Sequence, residues 1–304
     1  MSRLPPAEKL PLAARKNLRD KWEDKKVDLE KQLSDALGTP WTIDININQI
    51  YPYAKDGTYA KESPGGLLHD YVNGAHSCLG TFFYYFGEGG KQEINTLCSA
   101  HVLTMDVDLN SKVEGNGCEV SPSGQLVLLF SPDYLNSNIE NCLERNKLEK
   151  ALNEAPSSLP MNFKARSSIA NEYEKGIGKV QSIINEQLGK EIIIDPGFED
   201  AFVKLKAGAS RRDFDENLGP WILLYFQGFA EWLERNNVKG DDMVQEGLND
   251  VMGEGKVAFR VVEKMKGDSY NEAIPEGGVL YLQTDAKNYG SNVENAAERL
   301  MDLL

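Results

Sequence analysis

Ser137-Asn138-Ile139-Glu140-Asn141 recurs near the C-terminus as Ser291-Asn292-Val293-Glu294-Asn295. Each copy follows an apolar run and opens a segment with helical spacing. Extended outward at nearly the same offset, the comparison brings most of the chain into register with itself. The spacing therefore predicts a tandem duplication, and at 304 residues the chain has room for two domains.

Upstream of the first copy, residues 13–37 place Leu18, Trp22, Leu29, Leu33 and Leu37 between charged residues at helical intervals, which predicts an amphipathic helix ending at Gly38. Residues 41–47, Trp-Thr-Ile-Asp-Ile-Asn-Ile, alternate strictly and read as a strand. At an offset of 151, residues 169–188 repeat the helix, Gly189 stands for Gly38, and residues 191–195 repeat the strand. Irregular stretches (52–64 and 206–218) lead into very apolar helices (65–86 and 219–235), in which Tyr71 matches Tyr225 and Gly74 matches Gly228. A mid-helix glycine in both copies predicts close backbone packing there. A short helix, three strands and a final helix complete each copy. The expected fold class is α+β: a duplicated α-β-α-α-β-β-β-α unit, each copy with a small, mostly antiparallel sheet covered by helices. The boundaries fall at 1–154 for the first repeat domain, with a lead at 1–12, at 155–165 for a linker, and at 166–304 for the second.

Composition is that of a globular protein, with 41% hydrophobic and 26% charged residues. The formal net charge of −14 is spread over both halves and opposes phosphate backbones and anionic lipid, so neither nucleic acid nor membrane is an expected partner. No apolar leader or spanning stretch is visible, and Cys78, Cys98, Cys118 and Cys142 lack metal-ribbon spacing. A cytoplasmic protein with reduced thiols is the expectation.

Ser137-x-x-Glu140 and Ser291-x-x-Glu294 fit a capping box, so the recurring motif reads as a helix start. Asp106-Val107-Asp108-Leu109-Asn110 resembles a calcium loop but lacks its glycine and its bidentate Glu, and a strand end is preferred. Gly87-Glu88-Gly89-Gly90-Lys91 lacks the spacing of a phosphate loop and reads as a helix end. His69, His76 and His101 all lie in the first copy, where the second has apolar counterparts for His69, His76, Cys78 and Cys98; buried or surface roles are preferred to a metal site. Asp44 and Asp195, equivalent strand residues, read as outward-facing rather than as an acid/base pair.

Phe82-Phe83-Tyr84-Tyr85-Phe86 has no aromatic counterpart in the second copy, and five successive rings cover every side of a helix. This segment, with Tyr71 and His76, is the expected ligand-binding site. The function expected from these features is non-catalytic binding of a small apolar or aromatic ligand, or of a partner protein, at the aromatic helix or between the repeats. No cofactor and no metal is expected. The alternatives are an enzyme using His69 or His76 with Cys78 or a tyrosine, and an acidic assembly protein.

Overall fold

The structure, a computed structural model, describes residues 2–267 and 269–304. The chain divides into two compact units, residues 1–158 and 159–304.

The first unit begins with α1 (Leu12–Leu18), a π-helical turn (Arg19–Glu23) and α2 (Asp24–Leu37). Its buried residues are Ala14, Leu18, Trp22, Leu29, Leu33 and Leu37. Successive four-residue steps overshoot the 3.6-residue period and would walk this stripe around an ideal helix. A π turn, with its extra residue per turn, absorbs the overshoot and keeps the stripe on one side. Gly38 then ends the helix in the left-handed conformation at φ 72°.

There follow β1 (Thr42–Ile43), α3 (Ile47–Ile50), a 3-10 turn (Tyr51–Tyr53), α4 (Tyr59–Glu62) and α5 (Pro64–Leu97). The expected strand at 41–47 is thus cut to two paired residues. Asn46 accepts a hydrogen bond from Asn48 N and starts a helical turn, so a local cap overrides the alternation. The expected glycine-rich helix end is a break inside α5, where Gly87 (φ 55°, ψ −143°) interrupts a helix that resumes to Leu97.

The unit closes with β2 (Val102–Val107), β3 (Asn116–Val120), β4 (Leu126–Phe130), a 3-10 turn (Ile139–Asn141) and α6 (Arg145–Asn153). The sheet order is β1-β2-β4-β3, with β1, β2 and β4 parallel and only β3 antiparallel. The expectation of a mostly antiparallel sheet is therefore corrected to a mixed one. The cause lies in Leu126-Val127-Leu128-Leu129-Phe130, whose five residues are all buried. A strand apolar on both faces belongs in the interior of a sheet, and it inserts between β2 and β3.

The second unit runs α7 (Phe163–Ser168), a π-helical turn (Ile169–Tyr173), α8 (Glu174–Leu188), β5 (Ile193–Asp195), α9 (Phe198–Gly208), α10 (Leu218–Arg235) and α11 (Asp242–Val251). Then come β6 (Lys256–Val262), β7 (Asn271–Glu276), β8 (Val279–Asp285) and 3-10 turns at Val293–Asn295 and Leu300–Leu303. Its sheet, β5-β6-β8-β7, has the same order and the same strand senses as the first. Ala165, Ile169, Tyr173, Val180, Ile184 and Leu188 are buried at the spacings of the first unit's stripe. Helix α9 was not expected; it buries Ala201, Phe202 and Leu205 between the strand expected at 191–195 and the irregular stretch expected at 206–218.

The recurring motif does not cap a helix. Asn138 and Asn292 sit in the left-handed region at φ 50° and 48°, and no side chain caps the short turn that follows either. The motif instead offers its carbonyls to the sheet. Asn116, the first residue of β3, donates through Nδ2 to Ser137 O at 2.9 Å and to Asn138 O, and Asn271, the first residue of β7, donates to Ser291 O at 2.6 Å and Asn292 O at 2.8 Å. The long helices add a second tie: Tyr71 donates to Leu135 O, and Tyr225 donates to Asn271 Oδ1. Both tyrosines are fully buried, and each such side chain contributes roughly 1.5–3 kcal/mol through burial.

At its N-terminal end α5 is seated on main chain. A β-carbon on Gly65 would meet Asn17 O at 2.6 Å, and one on Gly219 would meet Ser168 O at 2.3 Å. The glycine N–H donates to Asn17 Oδ1 in the first unit and to Ser168 Oγ in the second.

Candidate functional site

The aromatic segment is distributed around α5 rather than gathered on one side. Phe82 is fully buried and packs on Phe86, with ring centroids 4.6 Å apart, while Phe83 and Phe86 are half-buried. Tyr84 is 85% exposed and Tyr85 54% exposed, their rings edge-on at 5.3 Å. Arg145 lies over the Tyr85 ring at 4.2 Å. Tyr71 belongs to the core, with its hydroxyl committed to Leu135, and His76 is half-buried on the same helix. Of the expected binding residues, then, two lie in the interior and two face outward.

The other motifs resolve into local structure. Asp108 accepts from Asn110 N and Val113 N and shapes the turn after β2. Asp106 pairs with Arg3 at 2.5 Å. Asp195 pairs with Lys256 at 2.7 Å, which holds its carboxyl below the usual range, and lies in a different unit from Asp44. His69 Nδ1 lies 3.1 Å from Asp70, which also accepts from Tyr59. His101 stacks near Trp41 and its Nε2 lies 3.3 Å from Asn95 O.

Cys98, Cys118 and Cys142 are buried and Cys78 is partly so. Burial pushes all four thiols up, Cys98 and Cys142 to about 12, so they stay protonated near neutral pH. Cys78 Sγ donates to Glu140 O at 3.3 Å. Among the described residues no cluster of three His, Cys, Asp or Glu side chains has metal-binding geometry. No helix among them is long and apolar enough to cross a membrane.

Each unit has a crevice at the same place, where its two central parallel strands end. In open sheets containing parallel strands, the carboxyl ends of the strands are where ligands enter, because loops diverge there and leave a concavity. In the first unit the crevice of about 570 Å³ lies beyond β2 and β4, between Tyr53, Ala54, Leu109 and Pro132. In the second it is about 560 Å³, lies beyond β6 and β8, and is walled by Ala207, Val261, Val262 and Ala286.

The two differ in cover and in charge. The N-terminal lead runs over the first crevice: Ser2 and Leu4 line it, Leu4 N donates to Tyr53 Oη at 2.9 Å, and Ala7 N donates to Asn48 O. Its lysines are matched, Lys55 to Asp133 at 2.8 Å and Lys61 to Asp56 at 3.8 Å. The second crevice is lined by Lys204, Lys264 and Lys287 together with Glu263 and Asp285. Lys204 is committed to Asp200 at 2.7 Å and to Val261 O at 3.0 Å. Asp285 Oδ1 accepts from Lys287 N and Asn288 N, a turn that sets Lys287 at the rim. Lys264 and Lys287 are exposed, and neither forms an ion pair with any described residue.

Sequence reasoning passed over these residues because they come from three separated segments and form no motif. The one available signal was shared position: Lys264 and Lys287 follow the ends of the second unit's strands as Leu109 and Asp133 follow the first's.

The chain matches no family model, no curated protein and no solved structure.

Proposed function

We propose that this is a non-catalytic binding protein, built by duplication of one α/β unit, that holds a small molecule in the crevice beyond β6 and β8. The observation that carries the reading is the pair of crevices at one topological position, the first lined by the protein's own N-terminal lead and the second without such a cover among the described residues. A volume of about 560 Å³ suits a metabolite-sized ligand, and the valine and alanine walls suit an apolar body. Duplication is supported by the matching stripes of the first helices, the matching sheet order and the two asparagine ties. The four unpaired cysteines suit a reducing compartment such as the cytoplasm.

Among the described residues no histidine is hydrogen-bonded to a cysteine, and the thiols are held neutral, so binding rather than nucleophilic chemistry is the reading these side chains favour. The partner-protein version of the proposal has one observation of its own, the exposure of Tyr84 and Tyr85.

The test is a screen of small apolar and amphiphilic compounds against the full chain by two-dimensional NMR. Saturable shift changes at Val262 and Ala286 are expected. Saturable changes centred on Phe83 and Tyr85 would move the site to the aromatic helix, and a screen without any saturable change would overturn small-molecule binding.

A further inference from the structure

We infer that the crevice beyond β6 and β8 selects a small organic anion, a carboxylate or phosphate on an apolar body, and that Lys264 and Lys287 supply the selectivity. The inference rests on the crevice being the binding site and adds the chemical class of what enters it.

The chain carries a net charge of −14, so carboxylates are plentiful as partners for a lysine at a concave site. In the first crevice that pairing is made: Lys55 and Lys61 each face an aspartate, so the lining is close to neutral. In the second, Lys204 and Asp285 are already engaged, by Asp200 and Val261 O in one case and by the turn's backbone N–H groups in the other. The lining carries three lysines against the two carboxylates of Glu263 and Asp285, and Lys264 and Lys287 stand without an ion-pair partner among the described residues, over an apolar floor of Val261, Val262 and Ala286. An ammonium group partly shielded by protein attracts an anion several-fold more strongly than in bulk water, since the effective dielectric is about 20 rather than 80. A ligand whose anionic end meets the two lysines and whose apolar body lies on the valines matches both the unpaired charges and the apolar floor of the crevice.

The geometry also assigns Glu263 a direction. Glu263 is a rim carboxylate held by no backbone donor among the described residues, so it opposes the incoming anion, and neutralising it must tighten binding rather than weaken it.

The experiment uses the full chain with benzoate, phenyl phosphate and the neutral benzamide as probes, each titrated by NMR at low and high salt. Lys264, Lys287 and Glu263 are exposed, so their variants keep the fold, and a thermal melt verifies this. Benzoate or phenyl phosphate is expected to bind at Val262 and Ala286 at least about tenfold more tightly than benzamide, which corresponds to about 1.4 kcal/mol. K264A/K287A should remove that preference, E263Q should enhance it, and added salt should weaken it. The arm that wins between benzoate and phenyl phosphate tells carboxylate from phosphate ligands. Equal binding of benzamide, or an unchanged preference in K264A/K287A, would overturn the anion inference while leaving the crevice as a binding site. Absence of all three probes from Val262 and Ala286, with binding elsewhere or nowhere, would overturn both.

Discussion

A β-carbon placed on Gly74 would lie 2.3 Å from the Cα of Glu140: the middle of α5 and the recurring motif touch main chain to main chain. The second unit repeats the contact, with Gly228 facing Glu294 O at 2.3 Å and its Cα at 2.6 Å. No real β-carbon tolerates such distances from backbone, so a methyl group at either site must push the turn off the helix.

Gly74→Ala and Gly228→Ala are therefore each expected to destabilise their unit by about 2–3 kcal/mol or more, as overpacking does in a closed interior. Gly80→Ala supplies the control, because it lies in the same helix as Gly74 with nothing within 4 Å of the added β-carbon. There the gain in helix propensity should stabilise by roughly 0.5–1 kcal/mol. Urea unfolding followed by circular dichroism reads both signs in one series.

Asn271 joins the start of β7 to the motif and also accepts from the Tyr225 hydroxyl. Asn271→Ala strands two carbonyls and a buried hydroxyl, at an expected cost of about 2–4 kcal/mol. Asn116→Ala in the first unit should show a similar loss and, in addition, release Lys147, whose Nζ donates to Asn116 Oδ1 at 2.9 Å. Thermal melts of the two variants make the comparison.

The thiols give a pH dependence. Burial raises Cys98 and Cys142 from an ordinary 9.0 to about 12, so each contributes stability that is intact below pH 9 and is lost as pH rises toward 12. Stability measured against pH should accordingly decline above about 9. The serine variants do not share this titration, so they should show a shallower decline. In the native protein at pH 8, only half-buried Cys78 should react with a thiol reagent on a timescale of minutes; all four should react in denaturant.

Residues 2–7 lie over the first crevice through one exposed ion pair, the bond from Leu4 N to the Tyr53 hydroxyl and the bond from Ala7 N to Asn48 O. Arg3→Ala should cost under about 1 kcal/mol, because a pair at 45% and 37% side-chain exposure is well screened. Deletion of residues 2–7 should expose Tyr53 to solvent without creating a second anion site, since Lys55 and Lys61 already have partners. Tyrosine fluorescence quenching and the stoichiometry of anion titration check the two halves of that statement.

Much of the architecture was legible wherever a side chain announces its own role. Gly38 and Gly189 marked helix ends, where they stand at φ 72° and 68°. The stripe from Leu18 to Leu37 marked a buried face. Strand neighbours were not legible, because alternation tells which face is buried and says nothing of which strand lies alongside. Leu126-Val127-Leu128-Leu129-Phe130 did carry the necessary signal, as a run apolar on both faces. The recurring motif misled for a different reason: it acts through the carbonyls of Ser137 and Asn138, which any residue possesses, while Ser137 and Glu140 happen to spell a capping box. The aromatic segment was conspicuous as sequence, yet a continuous helix sends neighbouring rings in different directions. The crevice lysines were inconspicuous because three loops bring them together only in the fold.

The glycine seats of the long helices follow a simple rotation. Gly65 and Gly74 are nine residues apart, as are Gly219 and Gly228, and nine residues at 3.6 per turn is two and a half turns. Each helix is consequently gripped from opposite sides, by the first helix of its unit and by the motif's turn. Because the gripping surfaces are largely peptide units, Asn17 in one unit and Ser168 in the other serve the same seat. Such a scaffold tolerates an exchange of side chains while its shape persists, which leaves the strand-end loops free to differ between the units.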